Sequence, residues 1–212
     1  MTPIDADRVR VVCLDWGGVL LRICRGWEEG CAAAGIEVRG GSADDHLRAQ
    51  RHALALRYHA GELSCGDFFA RVAEATPGYD ASEITRIHDA WLLGEYDGAR
   101  ALVEDLRAAP GITTALLSNT NHRHWARRDE FAAAGMLRHQ VASHLLGVAK
   151  PDEAIYRALE RTTDASGDQI AFFDDTAENV DAARALGWQA VHVDHAGDPP
   201  AQIRAALAGL LT

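Results

Sequence analysis

Asp15, Ser118-Asn119, Lys150 and Asp174-Asp175 are residue types that do chemistry, and each stands where an apolar run ends or a proline begins. Lys150 is the one lysine among 21 lysine and arginine residues, set in Gly147-Val148-Ala149-Lys150-Pro151-Asp152. A chain that otherwise uses arginine places here a compact ammonium in preference to a planar fork. Two carboxylates about 4 Å apart repel by roughly 4 kcal/mol at an effective dielectric near 20, so three on one rim call for a cation. Magnesium fits that demand: it takes hard oxygen ligands and is held by one or two carboxylates plus substrate phosphate. A carboxylate beside a metal and an ammonium is a competent nucleophile toward phosphorus or carbon. Ser118 and the backbone amides of the Gly17-Gly18 turn are candidates to hold the equatorial oxygens of a transferred group. Each of these residues is also an ordinary cap after a strand. Only the coincidence of three such endings with the sole lysine points to a site.

The elements that would bring them together follow from periodicity. Short apolar runs at 10–14, 112–117, 140–142, 169–173 and 189–193 read as strands, the first ending in Asp15, the second in Ser118-Asn119-Thr120 and the fourth in Asp174-Asp175-Thr176. Helical patterns at 99–108, 123–134, 152–161, 177–186 and from 200 alternate with them. The expected fold is therefore α/β, a three-layer doubly wound parallel-sheet (Rossmann-like) core. Between Trp27 and Leu93 no strand candidate occurs, only helical patterns broken at Gly40-Gly41, Gly61 and Pro77-Gly78, with Ser64 and Asp67 forming a capping-box-like start. This segment reads as an inserted all-helical cap, giving a core of residues 1–21 and 96–212 and a cap of 22–95. Open parallel sheets bind ligands at the carboxyl ends of their strands, where the polar endings fall.

Composition narrows the partners. A formal net charge of −10 and a pI near 5.4 leave no broad basic surface, so neither nucleic acid nor anionic membrane is expected. No apolar stretch approaches the roughly 18 residues of a membrane span, and residues 1–7 lack the basic and apolar blocks of a signal peptide, so the expected location is cytoplasmic. Cys13, Cys24, Cys31 and Cys65 contain no Cys-x-x-Cys pair and read as reduced, mostly buried residues. Monomer and homodimer both stay open.

In order and context these residues resemble the haloacid dehalogenase-like hydrolases. The nucleophile motif is Asp15-Trp16-Gly17-Gly18-Val19-Leu20, the second Ser118-Asn119-Thr120, the third Lys150-Pro151, and the fourth Asp174-Asp175 with Asn179. The resemblance implies Asp15 as nucleophile, Ser118 and Asn119 as binders of the transferred group, and Lys150 as the residue that orients Asp15 and neutralises charge. It implies a magnesium site formed by Asp15, the Gly17 carbonyl and Asp175, with Asp174 close by and Asn179 behind it. A small phosphorylated metabolite is the partner it implies, and the motifs are similar to those of a branch associated with glucose-1-phosphate hydrolysis.

One position departs from the family's commonest phosphatase pattern. Two residues after the nucleophile, where a second Asp would shuttle the proton, stands Gly17. Losing such a group typically costs about 100- to 10,000-fold. A substrate with a good leaving group would need less protonation, a cap residue such as His52, His59 or Glu62 could supply the proton, or the reaction is not phosphate hydrolysis. Dehalogenases also lack that Asp but work without metal and carry Ser-Ser-Asn where this chain has Asp174-Asp175. Phosphonoacetaldehyde hydrolases need a cap lysine, and this cap has none. A catalytically impaired binding module is the reading of another class. His122 and His124, two apart on a helix, diverge and are not expected to chelate one metal. Arg127-Arg128 reads as a solvated face, Trp27, Phe68, Phe69 and Trp91 as packing within the cap, and Arg22 and Arg25 as candidates to reach a substrate anion.

Overall fold

The computed structural model describes residues 4–39 and 44–211; the Gly40-Gly41 turn lies outside them. The chain opens with β1 (Val11–Leu14) and β2 (Leu21–Ile23), followed by α1 (Trp27–Ala34), α2 (Asp45–His59), α3 (Cys65–Glu74), α4 (Ala81–Asp89) and β3 (Leu92–Glu95). Thereafter come α5 (Ala99–Ala108), β4 (Thr113–Ser118), α6 (His122–Ala126), α7 (Ala132–Gly135), β5 (His139–Ala142), α8 (Ser143–Leu146), α9 (Glu153–Thr163), β6 (Ile170–Asp174), α10 (Ala177–Ala185), β7 (Gln189–His192) and α11 (Pro199–Ala206). Five strands form one parallel sheet in the order β5-β4-β1-β6-β7.

Alternation within β1 explains the layers. Val12 and Leu14 join Leu102 and Leu106 of α5 and Ile203 of α11 in one apolar cluster. Val11 and Cys13 join Tyr156 and Leu159 of α9 and Val180 of α10 in another. A strand buried on both faces reads as a continuous apolar run, and all four β1 residues are buried. The central place of β1, between β4 and β6, sets Asp15 beside the ends of both neighbours.

The helical segment builds its own core, with Tyr58, Phe68, Phe69, Ile84 and Ile87 buried together. Tyr58 stacks on Phe68 with centroids 4.2 Å apart. Ser64 caps α3, accepting from Asp67 N at 3.1 Å, as its spacing predicts. The expectation of no strand between Trp27 and Leu93 needs correction at its end. β3 starts at Leu92 and pairs antiparallel with β2, so the chain enters and leaves the helices along one two-stranded ribbon. Four residues containing Gly94 carry almost no strand signal, and their partner lies about seventy residues away.

The helix expected over 123–134 is also broken. α6 stops at Ala126, a 3-10 turn spans Arg128–Glu130, and α7 begins at Ala132. Trp125 and Phe131 both pack edge-on against Trp16, at 6.2 and 5.9 Å. Six residues apart on a straight helix they would point about 120° from each other, and the break lets both reach Trp16. α8 was not expected; at four residues it is too short for a periodic signal.

Candidate active site

Three neighbouring strands end on one rim. Asp15 follows β1, with its amide donating to Phe173 O at 2.9 Å, while Ser118 and Asp174 are the last residues of β4 and β6. Lys150 comes in from the loop before α9 and lies 3% exposed. Its Nζ donates to Leu117 O at 2.7 Å and to Asp174 Oδ2 at 2.6 Å, and sits 2.9 Å from Asp15 Oδ1. The contact with Asp15 is an ion pair without hydrogen-bond alignment, and Oδ1 is a buried oxygen that accepts no hydrogen bond. Lys150 thus bridges two carboxylates from adjacent strands, which a compact ammonium does and a planar guanidinium would not.

Electrostatics follow from that enclosure. Burial pushes the Asp15 carboxyl from its ordinary 3.8 up to about 7; Lys150 pulls it down, and Asp174 and Asp175 push it further up. Burial works against the Lys150 ammonium too, but Asp15 and Asp174 outweigh it and hold the group above the usual lysine range.

Asp174 is fully buried and fully engaged. Its Oδ1 accepts from Thr176 N at 2.8 Å and Asn179 Nδ2 at 3.1 Å, and its Oδ2 from Asn179 Nδ2 at 3.1 Å as well as from Lys150. Asp174 therefore anchors Lys150, with each of its oxygens already accepting from the protein. Asp175 is different: its Oδ2 is held by Arg25 Nη1 at 2.6 Å, a half-buried cation from the segment after β2. One oxygen from each of Asp15, Asp174 and Asp175 lies within 4.8 Å of the others. Three hard oxygen donors, one of them from a buried Asp15 carboxyl that its neighbour Lys150 leaves still reluctant to ionise, fit a divalent cation such as magnesium.

Two other expectations change. The Gly18 amide is not free for a substrate oxygen, because it donates to Leu21 O at 2.7 Å. Gly18 serves in another way: at φ +86 it lets the backbone pass where a Cβ would stand 2.2 Å from Asp175 Oδ2. Asn119, expected to bind the transferred group, lines the cavity while its side chain clamps the Lys150 backbone, its Nδ2 donating to Lys150 O and its Oδ1 accepting from Lys150 N, both at 2.8 Å. Gly17 and Ser118 face the cavity described next, and a Cβ at position 17 would stand 3.0 Å from Cδ1 of Ile23, so a larger residue there needs Ile23 to shift.

Above the rim a cavity of about 680 Å³ separates the sheet from the helices. Trp16, Ile23, Trp27, Phe68 and Trp91 line it, so residues expected only to pack the cap also form its wall. Arg25, His52 and His59 line it too, whereas Glu62 is exposed and pairs with Arg57. Two wall residues, His88 and His124, were not foreseen as site residues. Their rings stack at 3.8 Å across the gap between α4 and α6. Asn121 Oδ1 faces His88 Nε2 at 3.3 Å and accepts from His124 N at 3.0 Å. His124 Nε2 lies 2.8 Å from His88 O, a carbonyl that fixes the proton on that nitrogen. A signal did exist for His88, which follows Ile84 and Ile87 at i+4 and i+1 on the apolar face of α4. His122 meets His144 instead, so the two histidines do diverge.

A parallel α/β sheet with an inserted helical layer and an acid-and-ammonium rim defines a hydrolase class. The family model of the haloacid dehalogenase-like hydrolases matches residues 9–187, and the chain belongs to that family. Among curated proteins it is 33% identical over 104 residues to Phosphatase MT3486 of Mycobacterium tuberculosis, a match covering 48% of each chain. The chain thus aligns with about half the length of that relative. The fold is similar to the HAD family enzyme bt-2542 of Bacteroides thetaiotaomicron at a TM-score of 0.78, with 20% identity over 92% of this chain and 98% of that one. A structure of that enzyme with magnesium and inorganic phosphate gives 0.74, with 21% identity over 90% and 96%. The L-2-haloacid dehalogenase of Xanthobacter autotrophicus gives 0.64, with 16% identity over 96% and 84%. Among the described residues no helix is long and apolar enough to cross a membrane.

Proposed function

We propose that the chain is a magnesium-dependent phosphomonoester hydrolase that works through an aspartyl-phosphate on Asp15. The observation carrying this reading is the meeting of Asp15 with the late pair Asp174-Asp175, one oxygen of each within 4.8 Å of the others, while mid-chain Lys150 sits 2.9 Å from Asp15. Asp15, Asp175 and the Gly17 carbonyl would hold the ion. When bound, it supplies charge neutralisation that lets Asp15 ionise and lets a phosphate dianion approach a carboxylate. The chain's own residues do the rest. Lys150 holds Asp15 in place and balances its charge, while Asp174, fixed by Asn179 and Thr176, holds Lys150. Ser118 faces the cavity where equatorial oxygens would lie.

Asp15 attacks phosphorus and the bond to the leaving oxygen breaks; water then attacks the aspartyl-phosphate, giving phosphate and the free carboxylate. Paired acids at 174 and 175 favour this over the metal-free dehalogenase reaction. The test is a panel of phosphorylated metabolites with and without magnesium, with a chloroacid as control. Asp15→Asn is expected to lower turnover at least 1,000-fold, and acid-quenched wild type is expected to carry phosphate on the Asp15 peptide by mass spectrometry. Unchanged activity in Asp15→Asn would reject the assignment.

A further inference from the structure

Two independent features of the cavity bear on what leaves with the ester oxygen. First, position 17, where the family resemblance expects a proton-carrying Asp, is glycine, and a Cβ there would stand 3.0 Å from Cδ1 of Ile23. Second, the wall facing Gly17 and Ser118 is built from Trp16, Ile23, Trp27, Phe68, Ile87 and Trp91. The polar lining includes Arg25, Arg48, Arg51, His52 and His59 with Glu28 as its one carboxylate, and the imidazoles of His88 and His124 are already bonded to Asn121 and to a backbone carbonyl. Most of the lining surface is nevertheless apolar, so a polyol would lay many of its hydroxyls against groups that cannot bond them, which is costly. A planar apolar body would meet four aromatic side chains, whose edges and faces suit ring contacts.

We infer that the substrate class is the aryl phosphates, monoesters of a phenol-like oxygen on an apolar planar group that occupies this cavity. The inference rests on the phosphohydrolase reading above and names its substrate. Its chemistry balances without a protein acid. Asp15 bonds to phosphorus as the P–O bond to the aryl oxygen breaks, and the aryl oxide leaves with the electron pair, stabilised by its ring. Water then adds to phosphorus and frees Asp15. The proton released with phosphate equals the one the aryl oxide takes from solvent. An alkoxide has no such stabilisation and would wait for a proton donor that position 17 does not supply.

The test compares 2-naphthyl phosphate, 2-(2-naphthyl)ethyl phosphate and a hexose 6-phosphate with magnesium present. The first two carry the same ring, so they separate cavity binding from leaving-group acidity. Expected are a kcat/KM for the naphthyl ester at least 100-fold above the hexose ester, and a naphthylethyl ester with KM within about fivefold of the naphthyl ester but kcat at least 100-fold lower. Binding of 2-naphthylphosphonate, followed by quenching of tryptophan fluorescence, is expected to weaken at least tenfold in Ala55→Trp, which narrows the cavity from α2, with circular dichroism confirming its fold. Hexose phosphate turned over within tenfold of the naphthyl ester, or phosphonate binding unaffected by Ala55→Trp, overturns this inference and leaves the phosphohydrolase reading standing. If no ester is hydrolysed at all, that reading fails and this one with it.

Discussion

Replacing Lys150 with methionine tests the architecture of the rim directly. The lysine side chain is 1% exposed, and its ammonium serves three groups: Asp174 Oδ2 at 2.6 Å, Asp15 Oδ1 at 2.9 Å and Leu117 O at 2.7 Å. Methionine keeps an unbranched stem, so little packing is lost. What it removes is the only cation between two buried carboxylates. Breaking one partner out of a buried pair costs about 3–5 kcal/mol, because the charge left behind has neither water nor counter-ion. In a chain of this length about 1 kcal/mol moves the midpoint by ~2–4 °C, so Lys150→Met should melt roughly 6–20 °C lower. The assay is calorimetric and urea unfolding in chelator at pH 8, where no metal compensates. The double variant Lys150→Met/Asp15→Asn should recover at least about 1 kcal/mol of that loss, since it removes one stranded charge. A loss below about 1 kcal/mol in the single variant, or strict additivity in the double, would refute the bridging role.

Other expectations follow from single contacts. Gly18→Ala forces a Cβ to within 2.2 Å of Asp175 Oδ2 at a φ of +86, so Asp175 must move; magnesium affinity by titration calorimetry should fall at least tenfold, with about 1–2 kcal/mol of stability lost to backbone strain. Arg25→Ala frees Asp175 from its 2.6 Å ion pair; that half-exposed pair competes with a cation by at most about 1 kcal/mol, so magnesium should bind up to about fivefold more tightly. His124 supplies a pH signature. Burial, chiefly, lowers it from 6.5 to about 4, so between those values the unfolded chain takes up a proton that the folded chain refuses. Stability is then full above pH 6.5 and falls as pH drops toward 4, by up to about 3 kcal/mol. His124→Gln should flatten that part of the curve in urea unfolding at pH 7.5 and 4.5.

Periodicity and polar strand endings made the sheet and its active edge legible, because both are encoded locally. Val11 to Leu14 reads as a buried strand on its own, and Asp15 follows it. The β2–β3 ribbon was hidden because neither strand has a local signature and their pairing joins Leu21 to Glu95. The broken helix after Asn121 was hidden because its cause, Trp16, lies a hundred residues earlier. Residue types named Asp174 and Asn119 as candidates, but only atomic positions separate a ligand from a support. Asp174 uses both oxygens within the protein, and Asn119 spends its amide on the Lys150 backbone. His88 and His124 stack across two helices, and their meeting is a product of tertiary packing that spacing cannot express.

The ribbon formed by β2 and β3 has a mechanical meaning. Both passages of the chain between sheet and helices are hydrogen-bonded to each other, with Tyr96 N also tied to Leu20 O at 3.0 Å. The helical layer is also pinned to the core on its α4 side by the Arg123–Asp89 ion pair and the Arg127 bond to Asp89 O, so the expected opening is a rotation about the ribbon that parts those contacts. Dye pairs placed on α2 and α10 should then report one distance coordinate that narrows with bound phosphonate, and two uncorrelated coordinates would show that the ribbon yields.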